Sequence, residues 1–132
     1  VIRELSRHQR YQKLYSVLIA IPGIGMITAM TVLTEIGDIN RFKSVDAFRS
    51  FIGLIPRSHS SGEKDYNGKI TMRKSENLRS LLIEAAWTSI RSDSTYLYIY
   101  SQYKKRMDAN KAIVRTTRKM INHIYYSLKE NQ

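Results

Sequence analysis

Apolar residues recur every three to four positions along most of the chain, which is the spacing of one face of an α-helix. In the first stretch this spacing is carried by Leu14, Val17, Leu18 and Ile21. The pattern predicts helices over residues 3–20, 26–36, from Ser44 to Gly53, from Ser75 through the run LRSLLIEAAWTSI, 95–107 and 109–129. The chain is therefore predicted to be mostly α-helical.

Residues with known preferences for helix ends mark several boundaries. Ser44 and Ser75 are suited to N-cap positions, and Glu76 is well placed against the dipole of the helix that follows. Gly37 tolerates the left-handed conformation that ends many helices. The helix after Ser75 is apolar nearly all round and is predicted to be the central buried helix. In the last helix the predicted inward positions are Ile113, Thr117, Ile121, Ile124 and Leu128.

The helical spacing is lost over residues 57–72, where turn residues cluster. Ser61-Gly62 and Asn67-Gly68 are turn sequences, and Asn-Gly is favoured in two-residue hairpin turns. We therefore predict a small β-hairpin insertion inside residues 53–74, which also hold the exposed-looking Ser60-Ser61-Gly62.

The net charge of +11 on 132 residues indicates a polyanionic partner. The excess is concentrated, with +3 over residues 57–79 and +6 over residues 96–132, and a basic solvated surface is the simpler alternative. In the last helix Lys111, Arg115, Arg118 and Asn122 share a face and form a candidate phosphate-binding row. We call these four residues the basic row.

The length fits one domain, and the polar start without methionine favours a piece of a longer protein. No cysteine is present and the three histidines are scattered, so no metal site is predicted. Residues 14–34 are apolar enough to resemble a membrane span, but Pro22, Gly23 and Gly25 interrupt them. We therefore expect two short helices here and no membrane partner.

The sequence IPGIGMITA, residues 21–29, resembles the helix-hairpin-helix motif of DNA repair and recombination proteins, here spanning residues 14–36. Gly23 and Gly25 would let the backbone turn tightly, and Ala29 would permit close helix packing. The free amides of the second helix would then bind backbone phosphate without reading base sequence. A turn that only joins two core helices is the alternative.

A longer pattern is similar to the C-terminal domain of the insertion-sequence one-ten family of transposases, whose relatives include the pilin-gene DNA invertases. It consists of Gly53, Leu54, Pro56, Ser61, Gly62, Gly68, Ile70, Thr71, Arg73, Leu78 and Arg79. The upstream IPGIG and the run Glu35-Ile36-Gly37-Asp38 agree with it as well. Glu63 and Lys74 depart from it, since many members have glycine at both positions.

This resemblance implies that the chain is the C-terminal domain of a two-part bacterial, cytoplasmic recombinase. A RuvC-like N-terminal domain would supply acidic ligands for a divalent metal such as Mg²⁺, while this domain itself would hold no metal. The family pattern points to Ser61 as the nucleophile, with DNA and a structured guide RNA as partners. The fragment alone would be inactive, and recombination of paired ends suggests an oligomer in action.

Serine attack on a phosphodiester suits recombination, because the phosphoserine linkage conserves the bond energy for rejoining. Positive charge on the phosphate oxygens would come from Lys64, Lys69, Arg73 and Arg79.

Three other interpretations fit parts of the sequence. A non-catalytic helix-hairpin-helix module of a repair or junction-binding protein would need the glycines and not Ser61. An interaction domain would use Trp87 and the tyrosine-rich helix, with charge serving solubility. A tyrosine recombinase would use Tyr125 or Tyr126 near His123 and Arg118, although the tyrosine spacing suits core packing or base stacking better.

Overall fold

The computed structural model describes the backbone of residues 2–53 and 62–131 and the side chains of residues 8–53 and 77–131. Over this backbone the chain forms α-helices and one 3-10 turn, Ile39–Arg41, and no strand. The helices are α1 (Ile2–Ile19), α2 (Met26–Ile36), α3 (Val45–Ile52), α4 (Gly62–Ser92), α5 (Ser94–Lys104) and α6 (Ala109–Glu130). The mostly α-helical fold class is confirmed.

Local hydrogen bonds set the ends of the shorter helices where the sequence predicted them. The Ser44 hydroxyl oxygen accepts a hydrogen bond from the Ala47 amide at 3.2 Å and caps α3. Gly53 ends α3 in the left-handed conformation, with φ 87°, and its amide donates to the Arg49 carbonyl. Gly37 ends α2 at φ 69°. These boundaries therefore follow from single residues.

The predicted β-hairpin is wrong. The backbone is helical from Gly62 onward, so Asn67-Gly68 lies inside α4 and Ser75 is an interior position instead of an N-cap. The physical reason is cooperativity. Each residue added to an existing helix gains a hydrogen bond, and the good helix formers around Asn67-Gly68, such as Glu63 and Lys64, offset its weak propensity.

The core lies between α4, α6 and the shorter helices. Leu78, Leu82 and Ala86 of α4 belong to the same buried cluster as Met120, Ile121 and Ile124 of α6. α4 packs against α2, α3, α5 and α6, which confirms it as a central helix. The inward positions predicted for α6, residues 113, 117, 121, 124 and 128, are all buried. The opposite face of α6 is therefore left for solvent or a partner.

The apolar segment 14–34 is divided between α1 and α2, as the sequence predicted. α2 buries Ala29, Val32, Leu33 and Ile36, whereas Ile27 is 69% exposed. No helix among the described residues combines the length and the apolar character that a membrane span requires.

Candidate nucleic-acid interface

The basic row lies along the outer side of α6. Asp108 caps the helix, since its Oδ1 accepts a hydrogen bond from the Lys111 amide at 2.9 Å. Lys111 and Arg115 are exposed, and Arg118 and Asn122 are half-buried further along. The spacing of four, three and four residues places all four on one face, away from the buried stripe. The four residues predicted from the sequence thus share one face of α6, with the first two exposed and the last two partly covered.

Within the basic row, Arg118 is the residue whose pKa is shifted by its surroundings. Burial lowers the pKa of the Arg118 guanidinium from its usual value, the charges of Arg115 and Arg49 lower it further, and Tyr103 acts in the opposite direction. The guanidinium stays protonated, because arginine begins from so high a pKa. Positive charges thus act on one another around the partly buried Arg118, which favours the binding of an anion at this position.

Arg49 of α3 was not singled out from the sequence, yet its charge acts on Arg118 of this row. Its Nη2 donates to Asp46 Oδ1 at 2.8 Å, and its side chain is 25% exposed. Its Nε is buried and has no hydrogen-bond partner. No sequence signal identified Arg49, because its i,i+3 spacing from Asp46 suggests only a local surface ion pair.

Other basic residues are engaged within the fold. The Arg41 guanidinium lies over the rings of Phe42 and Phe51, 4.8 Å from each centroid. Lys129 Nζ donates to Asn40 Oδ1 at 3.2 Å and lies over the Tyr125 ring. These cations anchor the 3-10 turn to its neighbours, which distinguishes them from the exposed part of the basic row.

The two glycines of the α1–α2 turn face different environments. Gly23 has φ 90° and packs against α4, where an added Cβ atom would meet the Ala85 carbonyl oxygen and lie 2.9 Å from the Ser89 amide nitrogen. Gly25 is exposed, with open space where a Cβ atom would be. It precedes α2 without a side-chain cap, so the first amides of α2 depend on other acceptors. Gly23 therefore serves packing, and Gly25 is the one that can approach a partner.

Ser61 lies outside the described residues, as do the neighbouring Ser60 and His59. Lys64, Lys69 and Arg73 lie on the backbone of α4, but their side chains are outside the described set. Arg79, also on α4, is half-buried. Ser61 directly precedes Gly62, the first residue of α4.

The aromatic residues mostly serve packing. Tyr125 is buried against Phe48, with ring centroids 5.6 Å apart, and Trp87 packs edge-on against Tyr100 at 5.5 Å. Tyr96 is buried, with its phenol oxygen 3.2 Å from His123 Nδ1. Tyr126 is 53% exposed.

Among the residues with described side chains, no three His, Asp or Glu side chains are grouped so that they could hold a metal ion. The sequence resemblance places the divalent metal of the longer protein in its N-terminal domain.

Comparison with protein families gives a match over residues 15–101 to the family described as Transposase IS116/IS110/IS902. The match includes α2, α3, α4 and the segment that contains Ser61. No solved structure matches the chain.

Several curated proteins are similar to parts of the chain. The transposase for insertion sequence element IS1111A of Coxiella burnetii is 43% identical over 72 residues, which cover 54% of this chain and 20% of that protein. A probable family 20 transposase of Pseudomonas aeruginosa is 36% identical over 89 residues, covering 67% of this chain and 26% of that protein.

The pilin gene-inverting protein of Moraxella bovis is 32% identical over 123 residues, or 89% of this chain and 37% of that protein. The chain thus spans a minor part of the length of each of these relatives.

Proposed function

The chain belongs to the IS116/IS110/IS902 family of transposases, and on that premise we propose that it is the part of a DNA transposase or site-specific recombinase that holds nucleic acid and supplies a serine nucleophile. The observation that carries the proposal is the family match across residues 15–101, together with the basic row on α6. DNA is the primary partner, and a structured guide RNA would bind through the same phosphate chemistry.

Ser61 is the proposed nucleophile. Its Oγ would bond to a backbone phosphorus as the bond from phosphorus to the 3′ oxygen breaks, leaving a phosphoserine linkage and a 3′-hydroxyl. The serine proton passes to a base, and the leaving 3′ oxygen takes up a proton. Resealing reverses these steps, so no external energy source is needed.

The start of α4 at Gly62 supports this role. The first amides of a helix have no intrahelical acceptors, and the helix dipole places partial positive charge at that end. Both favour a phosphate beside the residue that precedes the helix. Lys64, Lys69 and Arg73 follow on the same helix, and Arg79 lies further along it.

A test of the nucleophile uses the full-length recombinase with Ser61→Ala and the neighbouring control Ser60→Ala. Strand exchange should be lost in the first and retained in the second, with duplex binding unchanged in both. A protein that still exchanges strands without the Ser61 hydroxyl would remove Ser61 from the mechanism.

A test of binding measures the affinity of the 132-residue chain for a fluorescent duplex of arbitrary sequence as salt is raised. Because each neutralised phosphate releases counterions, the logarithm of the association constant should fall linearly with the logarithm of salt, with a slope of about −0.9 per phosphate. An affinity that does not change with salt would contradict phosphate-driven binding.

A second mode of binding is favoured by the exposed, uncapped start of α2. We propose that residues 14–36 act as a helix-hairpin-helix element whose α2 amides contact backbone phosphate. Gly25→Asp would cap α2 and place a negative charge where the phosphate would bind, whereas Gly25→Asn would cap it without charge. DNA affinity should fall much more with aspartate than with asparagine, and equal affinities would exclude this contact.

A further inference from the structure

Two large apolar side chains of α5 face solvent. Leu97 is 48% exposed, and its neighbour Tyr98 is 65% exposed. The adjacent tyrosines of the same helix are used in packing, since Tyr96 is buried and Tyr100 packs edge-on against Trp87, with ring centroids 5.5 Å apart. Within the described part of the chain, the Tyr98 ring pairs with no other aromatic ring. Tyr98 therefore presents its ring to another molecule.

Two lysines follow on the same side of α5. Lys105 comes seven residues after Tyr98, and Lys104 comes seven residues after Leu97. Seven residues make about two turns, so each lysine lies about 10 Å along the helix from its apolar counterpart and on the same face. Lys105 keeps a helical backbone conformation, with φ −67° and ψ −23°, and both lysines are exposed. We call these four residues the α5 strip.

The turn from α5 into α6 adds further positive charge beside the α5 strip. Arg106 and Lys111 are exposed, so four cations and one carboxylate, that of Asp108, lie within residues 104–111. Asp108 Oδ1 accepts its hydrogen bond from a backbone amide. Among the side chains that the structure describes, no carboxylate forms an ion pair with any of the four cations. This excess of positive charge attracts a polyanion.

An exposed aromatic ring beside such cations has the chemistry that binds a single strand of nucleic acid. Successive bases of a single strand stack on aromatic side chains, while lysine and arginine contact its phosphates. In a duplex the base faces are covered by their neighbours, so a ring on the surface of a helix can stack only on an unpaired base. The ring and the charge together therefore favour an unpaired strand over a duplex at the α5 strip.

We propose that the α5 strip binds single-stranded DNA, with one base stacked on Tyr98 and the neighbouring phosphates held by Lys104 and Lys105. The proposal rests on the nucleic-acid binding proposed above and adds an unpaired strand to its ligands. The turn after the strip leads directly to Lys111, the first residue of the basic row. A duplex on α6 and an unpaired strand on α5 would thus lie side by side.

The test asks whether bases, and not only phosphates, contribute to binding by the 132-residue chain. It compares two fluorescent DNA oligomers of equal length, one made of thymidine and one with abasic positions in its middle, so that the number of phosphates is the same. The unaltered chain should bind the thymidine oligomer about tenfold more tightly, because stacking of one base contributes about that factor. Tyr98→Ala should bind the two oligomers equally, with an unchanged salt slope.

Three further variants control the comparison. Tyr98→Trp keeps a stacking ring and should keep the preference for thymidine. Tyr126→Ala should also keep it, because Tyr126 is 53% exposed but packs edge-on against Tyr125, with ring centroids 5.2 Å apart. Lys105→Gln should weaken binding of both oligomers alike and reduce the magnitude of the salt slope by about 0.7. Circular dichroism shows whether each variant is folded.

The outcomes separate this proposal from the one on which it rests. A thymidine preference that is absent from the unaltered chain, or that survives in Tyr98→Ala, would overturn the stacking site, while salt-dependent binding of duplex DNA would leave the proposed function standing. Tighter binding of a uridine RNA oligomer than of the thymidine oligomer would overturn DNA as the bound strand. If neither duplex nor single strand binds in a salt-dependent way, the proposed nucleic-acid binding falls, and the α5 site falls with it.

Discussion

Gly23 packs directly against Ala85, so that the turn between α1 and α2 lies against the C-terminal part of α4. The glycine is needed for two separate reasons, its positive φ of 90° and the absence of room for a Cβ atom. The turn is therefore part of the core packing, whereas Gly25 at its other end is exposed.

We expect Gly23→Ala to lower the free energy of unfolding by at least about 3 kcal/mol, because it adds backbone strain and a clash with the backbone of α4. Gly37→Ala isolates the strain, since Gly37 has φ 69° but open space around it, and should cost about 1–2 kcal/mol. Gly25→Ala has neither problem and should cost under about 1 kcal/mol. Urea unfolding of the three variants measures this order, and a Gly23 variant as stable as the Gly25 variant would contradict the packing.

Gly68 gives a direct test of whether its segment is helical, as in α4, or a hairpin turn. Inside a helix, alanine is favoured over glycine by about 1 kcal/mol, so Gly68→Ala should raise both stability and helix content. In a type I′ hairpin turn the same change would be destabilising, because the turn needs positive φ at that position. Circular dichroism and urea unfolding distinguish the helix from the hairpin, and a loss of stability would contradict the helix.

Tyr96 predicts how stability changes at alkaline pH. Burial, with a smaller contribution from the Asp93 charge, raises the pKa of Tyr96 to about 12 from the usual 10. The neutral phenol is thus favoured in the folded state. The resulting stabilisation of the folded state, about 2–3 kcal/mol, is fully present below pH 10 and is lost as the pH rises toward 12.

The measurement compares the fall in unfolding free energy between pH 9 and 12 for the unaltered chain and for Tyr96→Phe. The fall should be smaller by that amount in the phenylalanine variant. Tyr126→Phe serves as the matched control, because Tyr126 is 53% exposed. Equal pH dependence in the Tyr96 variant and the unaltered chain would contradict the raised pKa.

Features determined by neighbouring residues were predictable from the sequence. Ser44 and Gly53 define α3 through bonds within a few residues, and the buried stripe of α6 follows from helical spacing alone. The basic row was predictable for the same reason, since a helix that buries one face must turn the other outward.

Features determined by distant contacts were not predictable. Asn67-Gly68 has the local sequence of a hairpin turn, and only the cooperative extension of α4 overrides it. The sequence indicates only a surface ion pair for Arg49, because the burial of its side chain depends on how the helices pack. The inward orientation of Gly23 depends on its contact with Ala85 and Ser89 of α4, and the turn sequence alone carries no information about it.

The unbroken course of α4 limits how this part of the protein can change in length. Each residue inserted between Gly62 and Leu78 would rotate the start of α4 by about 100° around the helix axis, relative to the packed part of α4 from Leu78 onward, and shift it by about 1.5 Å. Seven inserted residues would nearly restore the original direction, at a distance about 10 Å further out. The direction in which α4 begins is therefore nearly kept by insertions of seven residues, about two turns, and is changed by insertions or deletions of one residue.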